Sequence, residues 1–294
     1  MRVIATPEEM RAWSRTERQA GRSVGFVATM GALHVGHRRL METAAARDDA
    51  VALSIFVNPT QFGPNEDLDR YPRSFDADCA MAEEVGVEVV YAPAASTMYP
   101  DGYATYVNVE RLTQGLCGGS RPHHFRGVTT VVTKLFNAVQ PDRAYFGQKD
   151  AQQAAVVRRM TRDLDFGIEI VVVPTVREAS GLAVSSRNQY LSEDERRRAL
   201  GLSRGLFAAE ALWRAGERSP RTLTEAVRER MAHSGFAVDY VELVDADEMT
   251  PLDEARDRAL LAAAGRLGET RLIDNLILDT EGAERPGPDP GTRP

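Results

Sequence analysis

Lysine is almost missing from this chain. Of its 36 basic residues only Lys134 and Lys149 are lysines. Where arginine is the default cation, a lysine marks either a site that needs a compact ammonium rather than a planar fork or an accident of drift. Cysteine is as scarce: Cys79 and Cys117 make neither a disulfide framework nor a zinc site. No apolar run approaches the ~18–20 residues that cross a bilayer, and residues 1–9 lack the apolar stretch of a secretory signal. Positive charge is not in excess either. The 36 Lys+Arg stand against 43 Asp+Glu, a formal charge of −7, which argues against a dedicated nucleic-acid binder, since phosphate neutralisation needs clustered cations. These absences leave a soluble, cytoplasmic globular protein with small-molecule partners, no nucleic acid and no membrane. Its 294 residues, 43% hydrophobic and 27% charged, suffice for one large or two modest domains.

Residues 2–173 alternate between short β-rich runs and helical patterns. Strands are predicted over 23–29, 51–57, 87–91, 143–146 and 168–173, with helices over 36–46, 76–85, 127–139 and 151–164. Near-continuous apolar strands between helices indicate a parallel sheet covered on both faces, so residues 1–175 are predicted to form a doubly wound α/β domain. Such sheets bind ligands beyond the carboxyl ends of their strands. After Pro174 the pattern changes. A Ser192–Glu195 capping box opens a long helix toward Gly216, a second helix covers 223–234, and strands are predicted over 238–244, 258–264 and 271–276. Residues 176–280 thus read as a smaller α+β domain, a natural lid. The Gly-, Pro- and charge-rich 281–294 reads as a disordered tail.

The strongest motif follows the first predicted strand: Thr29, Met30, Gly31, Ala32, Leu33, His34, Val35, Gly36, His37. Gly31 lets the chain turn, and Gly36 removes a side chain where a ligand would lie close. The N–H groups and dipole of the helix start face an anion. His34 and His37, three apart, share one face, and imidazole donates to phosphate oxygens whether charged or neutral. The competing explanation is two histidines that cap a helix or pair with carboxylates. A second segment runs Gly181, Leu182, Ala183, Val184, Ser185, Ser186, Arg187, Asn188. Two hydroxyls and a guanidinium on a Gly-led loop suit a triphosphate, though Ser and Asn also make ordinary loops.

The first segment resembles the HxGH signature of the nucleotidyl-transferring superfamily, and the second resembles its KMSKS-like loop. The stretches between narrow the resemblance. Phe-Val-Asn-Pro-Thr-Gln-Phe at 56–62, Glu-Asp-Leu-Asp-Arg-Tyr-Pro-Arg at 66–73, Arg-Pro-His-His-Phe-Arg-Gly-Val at 121–128, Phe-Gly-Gln-Lys-Asp-Ala-Gln-Gln at 146–153 and Val-Arg-Glu-Ala-Ser-Gly-Leu-Ala at 176–183 all look like the pantothenate synthetase family. The resemblance spans about residues 3–279. It implies a Rossmann-like fold of nucleotidylyl-transferase type and an AMP-forming ligase, with Mg²⁺, in a homodimer. The implied reaction condenses pantoate with β-alanine at the expense of ATP, through a pantoyl-adenylate, in pantothenate and coenzyme A biosynthesis.

Resemblance also places the ATP contacts on Met30, Gly31, Ala32, Leu33, His34, Val35, Gly36, His37, Gly147, Gln148, Lys149, Asp150, Val176, Val184, Ser185, Ser186 and Arg187. It marks His37 as proton donor, although a hydrogen bond to phosphate would account for the chemistry as well. With pantoate's carboxylate ionised at pH 7, the task is to bring an anion onto a polyanion. His34, His37, Lys149, Ser185, Ser186 and Arg187 are therefore expected to supply cationic and donor stabilisation. Gln61 and Gln153 are expected on pantoate, with Asn58 and Tyr71 as neighbours. Asp150 suits ribose hydroxyls or a metal-bound water equally, and no metal ligands are readable. Lys134, among apolar neighbours in a helix, reads as a snorkelling structural residue. Departures from the family pattern are Ala28, Val35, His123, Gln148 and Val184. None removes a donor. His123 and His124 are either a solvent-exposed pair or a contact to ATP or a partner subunit. Competing functions are an adenylyltransferase without a second condensation, a non-catalytic nucleotide sensor, and a synthetase acting on tRNA; the last lacks a basic domain.

Overall fold

The computed structural model describes residues 1–64 and 66–279; the tail expected over 281–294 lies outside them. The chain divides into two compact units. The first comprises Met1–Thr113, Arg121–Gln148 and Val156–Pro174; the second comprises Gln114–Ser120, Lys149–Ala155 and the chain from Thr175 onward. Lys149 and Gln153 therefore group with the second unit.

The first unit holds a six-stranded sheet: β1 (Arg2–Ile4), β2 (Val24–Thr29), β3 (Ala50–Ile55), β4 (Val89–Tyr91), β5 (Arg143–Gly147) and β6 (Glu169–Val173). Their order is β1-β4-β3-β2-β5-β6, and every pairing is parallel. The helices in chain order are α1 (Pro7–Gln19), α2 (Val35–Ala45), α3 (Phe75–Val85), α4 (Ala95–Met98), α5 (Leu116–Ser120), α6 (His124–Val139), α7 (Ala151–Asp163), α8 (Glu193–Arg214) and α9 (Pro220–His233). β2 is buried at nearly every position, as a central strand covered on both faces must be. Val27, Leu53, Val90 and Tyr145 pack with Met41 and Ala44 of α2, while Phe26 meets Phe136 of α6 edge-on at 6.3 Å. The chain runs from β2 outward to β3 and β4, then returns to β5 on the other flank of β2. The strand order reverses at the β2/β5 pair, and ligands bind outside the carboxyl ends at such a reversal.

β1 and α1 were not read from the sequence as elements. The signal is present, because Thr6 caps α1 by accepting from the Glu9 amide at 3.3 Å and Pro7 occupies the first turn.

In the second unit β7 (Ala237–Asp245), β8 (Ala259–Leu267) and β9 (Thr270–Leu278) form an antiparallel sheet in that order. The capping box at α8 is reciprocal: the Ser192 hydroxyl accepts from the Glu195 amide at 3.3 Å, and Glu195 Oε2 accepts from the Ser192 amide at 2.9 Å. α8 and α9 pack closely because Gly205 presents no side chain; a Cβ there would sit 3.1 Å from the Cα of Val227. Leu206, Leu223, Val227, Met231, Val241, Leu261 and Ala263 form the shared core. Among the described residues no helix is long and apolar enough to cross a membrane.

Candidate active site

Beyond the carboxyl end of β2 the chain takes two left-handed residues in succession, Gly31 (φ 83) and Ala32 (φ 52). This turns the amides of Ala32 and Leu33 onto the carboxylate of Asp78, which accepts them at 2.9 and 2.8 Å and also accepts the Ser74 hydroxyl at 3.0 Å. Asp78, in the first turn of α3, is 3% exposed. Two amides of the expected phosphate loop are thus engaged by protein.

The two histidines follow on the same segment. His34 is the N-cap of α2, and its Nδ1 accepts from the Gly36 amide at 3.2 Å; His37 Nδ1 accepts from the His34 amide at 3.3 Å. The rings stack, with centroids 4.0 Å apart and planes 24° from parallel. Capping and ligand binding are therefore compatible. Each Nδ1 faces an N–H and must accept, so each neutral ring carries its proton on Nε2 and is a donor there. Gly36 also serves the histidine. A Cβ on it would meet the His34 ring at 3.0 Å, so the glycine makes room for the histidine.

Gln61 sits in a 3₁₀ turn, Pro59–Gln61, next to this loop. Its Nε2 donates to the thioether of Met30 at 3.2 Å, and its Oε1 accepts from Asn58 Nδ2 at 3.0 Å. Asn58, expected at the substrate, is 1% exposed, and protein engages every polar atom of its side chain. Nδ2 also donates to the Gly127 carbonyl at 3.1 Å; Oδ1 accepts from the hydroxyls of Thr60 at 2.9 Å and Tyr99 at 2.7 Å. Its geometry supports Gln61 from behind. Burial pushes the Tyr99 hydroxyl up to about 12, so it stays a donor at any working pH. Tyr71 is buried edge-on against Phe62, with centroids 6.0 Å apart.

The main chain of Gln61 is also clamped. His124 Nδ1 lies 2.8 Å from its carbonyl oxygen, and Arg121 Nη2 donates to the same oxygen at 3.3 Å. A carbonyl only accepts and a guanidinium only donates. His124 therefore carries its proton on Nδ1 and accepts at Nε2 from Arg121 Nη1, 3.2 Å away. Glu66 holds Arg121 in turn, through Nε at 2.7 Å and through Nη2. His124 is half-buried, so the two histidines differ: His123 is the exposed one, left-handed at φ 74. α6 approaches so closely at Gly127 that a Cβ there would lie 2.6 Å from the Thr60 carbonyl carbon and 2.7 Å from Gln61 Cα.

At the end of β5, Gly147 faces open space and Gln148 follows it, half-buried. In the second unit Lys149 lies in a 3₁₀ turn ahead of α7, its ammonium 3.9 Å from Asp150. Gln153 is half-buried two residues into α7. Val176 and Val184 are joined by the Val184 amide to Val176 carbonyl bond, 3.0 Å, at the mouth of a hairpin that turns at Gly181 (φ 93). Ser185 caps the following 3₁₀ turn, Ser186–Tyr190, accepting from the Arg187 amide at 3.3 Å. Ser185, Ser186 and Arg187 are half-buried. Lys149, Asp150, Gln153 and the Val176–Arg187 stretch thus belong to one unit, and Met30 to His37, Gln61, Gly147 and Gln148 to the other. Asp78, Tyr99 and Glu66 were not singled out in the sequence, because a carboxylate or phenol whose partners lie tens of residues away has no local spacing to betray it. Among the described residues there is no group of three His, Cys, Asp or Glu side chains placed to hold a metal.

Comparison with known proteins agrees over nearly the whole length. Residues 2–277 match the pantoate-beta-alanine ligase family. A pantothenate synthetase of Pelotomaculum thermopropionicum is 57% identical over 279 residues, 95% of this chain and 99% of its own. One from Moorella thermoacetica is 55% identical over 280 residues, 95% and 99%. The crystal structure of pantothenate synthetase from Thermus thermophilus superposes with a TM-score of 0.90 at 47% identity, covering 95% of this chain and all of the other. The pantoate-beta-alanine ligase of Francisella tularensis, solved with beta-gamma ATP and beta-alanine, gives 0.80 at 30% identity, covering 95% and 98%.

Proposed function

From the premise that the chain belongs to the pantoate-beta-alanine ligase family, we infer that it works as an ATP-dependent ligase joining pantoate to β-alanine. In the first step a pantoate carboxylate oxygen attacks the α-phosphorus of ATP. The new P–O bond forms as the bond to pyrophosphate breaks, giving pantoyl-adenylate. In the second step the neutral amine of β-alanine attacks the acyl carbon; AMP leaves, pantothenate forms, and the amine proton passes to water.

The observation that carries the assignment of residues is the stacked pair His34 and His37, each fixed as a donor at Nε2 at the β2/β5 reversal. A neutral donor stabilises charge on the phosphoryl oxygens without giving up its proton, so His37 acts here by hydrogen bonding. Lys149, Ser185, Ser186 and Arg187 supply ammonium, hydroxyl and guanidinium donors to the triphosphate. The backbone of Met30, Gly31, Ala32, Leu33, Val35 and Gly36, with Gly147, Gln148, Asp150, Val176 and Val184, contributes shape. Gln61 and Gln153 take pantoate. Gln61 acts as a donor, since its oxygen is held by Asn58.

Magnesium enters this reading with the nucleotide. An ion bound by substrate phosphates and one or two carboxylates would find Asp150, which lies beside Lys149. It would neutralise phosphate charge. The homodimer, the cytoplasmic location and the second unit's service as a lid belong to the same reading. Purified protein supplied with Mg²⁺-ATP should release AMP and pyrophosphate continuously only when both pantoate and β-alanine are present. No AMP with both acids supplied overturns the assignment.

A further inference from the structure

We propose that Asp274 and Asn275 of β9 are positioning residues for the nucleotide-binding segments of the second unit, a role that rests on reading Lys149 and Ser185–Arg187 as ATP contacts. Asp274 takes the fork of Arg177 with both oxygens, at 2.6 and 2.9 Å. The same guanidinium donates to the Gly181 carbonyl at 3.2 Å and lies 5.1 Å over the ring of Phe207. Arg177 pairs with Ala183 across the hairpin. One carboxylate therefore ties together the stem and the tip of the hairpin that delivers Val184, Ser185 and Arg187.

Asn275, the next residue, acts on the other segment. Its Nδ2 donates to the main-chain carbonyl of Lys149 at 2.9 Å, and its own amide donates to Asp274 Oδ1 at 2.8 Å. Asp274 is 2% exposed and Asn275 4%. Both sit in unbroken register with β8, opposite Ala263 and Ala262. The buried Asp274–Asn275 pair, with the Arg177 ion pair it carries, is weak evidence of stability, because apolar residues of the same volume do as well or better. Its distinctive capacity is geometric: it sets where the backbone under Lys149 stands relative to the hairpin. The long Lys and Arg side chains then have only their own rotamers to fix when the triphosphate arrives.

Pantoate-dependent exchange of labelled pyrophosphate into ATP tests this. Asn275→Ala removes the donor to Lys149. It should lower the exchange kcat roughly five- to tenfold, the size of one net hydrogen bond, and raise the ATP KM, leaving the pantoate KM within twofold. Asn275→Asp separates positioning from bulk stability. A protonated acid can donate to the Lys149 carbonyl and a carboxylate cannot, so its defect should shrink as pH falls, whereas that of Asn275→Ala should not. A folded Asn275→Ala with wild-type ATP KM and exchange rate overturns the proposal. If the alanine variant does not fold, an Asn275→Asp defect unaffected by pH overturns it. Lys149→Ala run alongside distinguishes the failures: abolished exchange there with a silent Asn275→Ala removes only the positioning role, and unchanged exchange in Lys149→Ala removes the ATP-site reading with it.

Discussion

Asn58 Nδ2 donates to Gln61 Oε1 at 3.0 Å, and that one bond sets the polarity of the glutamine. Asn58 cannot turn over, because its Nδ2 also faces the Gly127 carbonyl and its Oδ1 receives the Tyr99 hydroxyl. Gln61 consequently presents its NH₂, resting against the soft acceptor of Met30. A site built to donate rejects a partner that cannot accept. Gln61→Glu places a carboxylate where donors stood and should raise the pantoate KM by roughly 10²-fold, with the ATP KM within threefold. Asn58→Ala, which frees the amide to rotate, should raise it about fivefold, one net hydrogen bond. Steady-state kinetics with each substrate varied checks both, and equal increases in both KM values would place Gln61 elsewhere.

Gly127 permits the approach of α6 to the Pro59–Gln61 turn. A methyl group there would sit within 2.7 Å of Gln61 Cα and meet main chain rather than a movable side-chain tip. Gly127→Ala should cost about 2–4 kcal/mol of stability and displace Gln61, raising the pantoate KM in whatever fraction folds. Denaturant unfolding together with kinetics reads both effects. A variant as stable as wild type would mean that the turn can yield.

Much of this was legible in the sequence. The parallel sheet showed in its continuous apolar strands, and the α8 capping box in Ser192 and Glu195, because both signals are local. The stacked histidines were legible as a motif, but their tautomers were not, since these follow from backbone amides placed by the turn. That protein engages every polar atom of the Asn58 side chain was hidden for the same reason. Its neighbours Tyr99 and Gly127 are 41 and 69 residues away, and no spacing rule reaches that far. The segments 114–120 and 149–155, which group with the second unit, likewise give no compositional sign of it.

Asp78 holds the loop from which the histidines project. Asp78→Asn keeps the shape but turns an NH₂ toward the amide of Ala32 or Leu33, where only an acceptor fits. We expect a loss of about 1–3 kcal/mol and an adenylation rate roughly tenfold lower. His37→Ala, which on the proposed reading removes a donor to the reacting phosphate, should cost more in rate, roughly 10²–10³, and about 1 kcal/mol of stability, because the His34 amide loses its acceptor. Pyrophosphate exchange and thermal unfolding of the two variants give the comparison. Asp78→Asn with the greater rate loss would move the chemistry from the imidazoles to the loop.

Glu66 gives the pH dependence its sign. Burial pushes its carboxyl upward, but the hydrogen bonds and charge of Arg121, with the Gly63 amide and His124, outweigh burial and hold it below its ordinary 4.5. A carboxyl lowered by folding contributes stability that is fully present above that ordinary value and is lost as pH falls through the lowered one. Glu66→Gln should therefore be less stable than wild type at pH 7, by about 1.5–3 kcal/mol for a charged hydrogen-bonded pair. The gap should close progressively below pH 4.5. Because Arg121 and His124 hold the Gln61 carbonyl, the variant should also show a raised pantoate KM at pH 7. Unfolding curves of both proteins from pH 7 down to pH 3.5 decide the matter: a stability gap that stays constant over that range would show that the pair contributes nothing through ionisation.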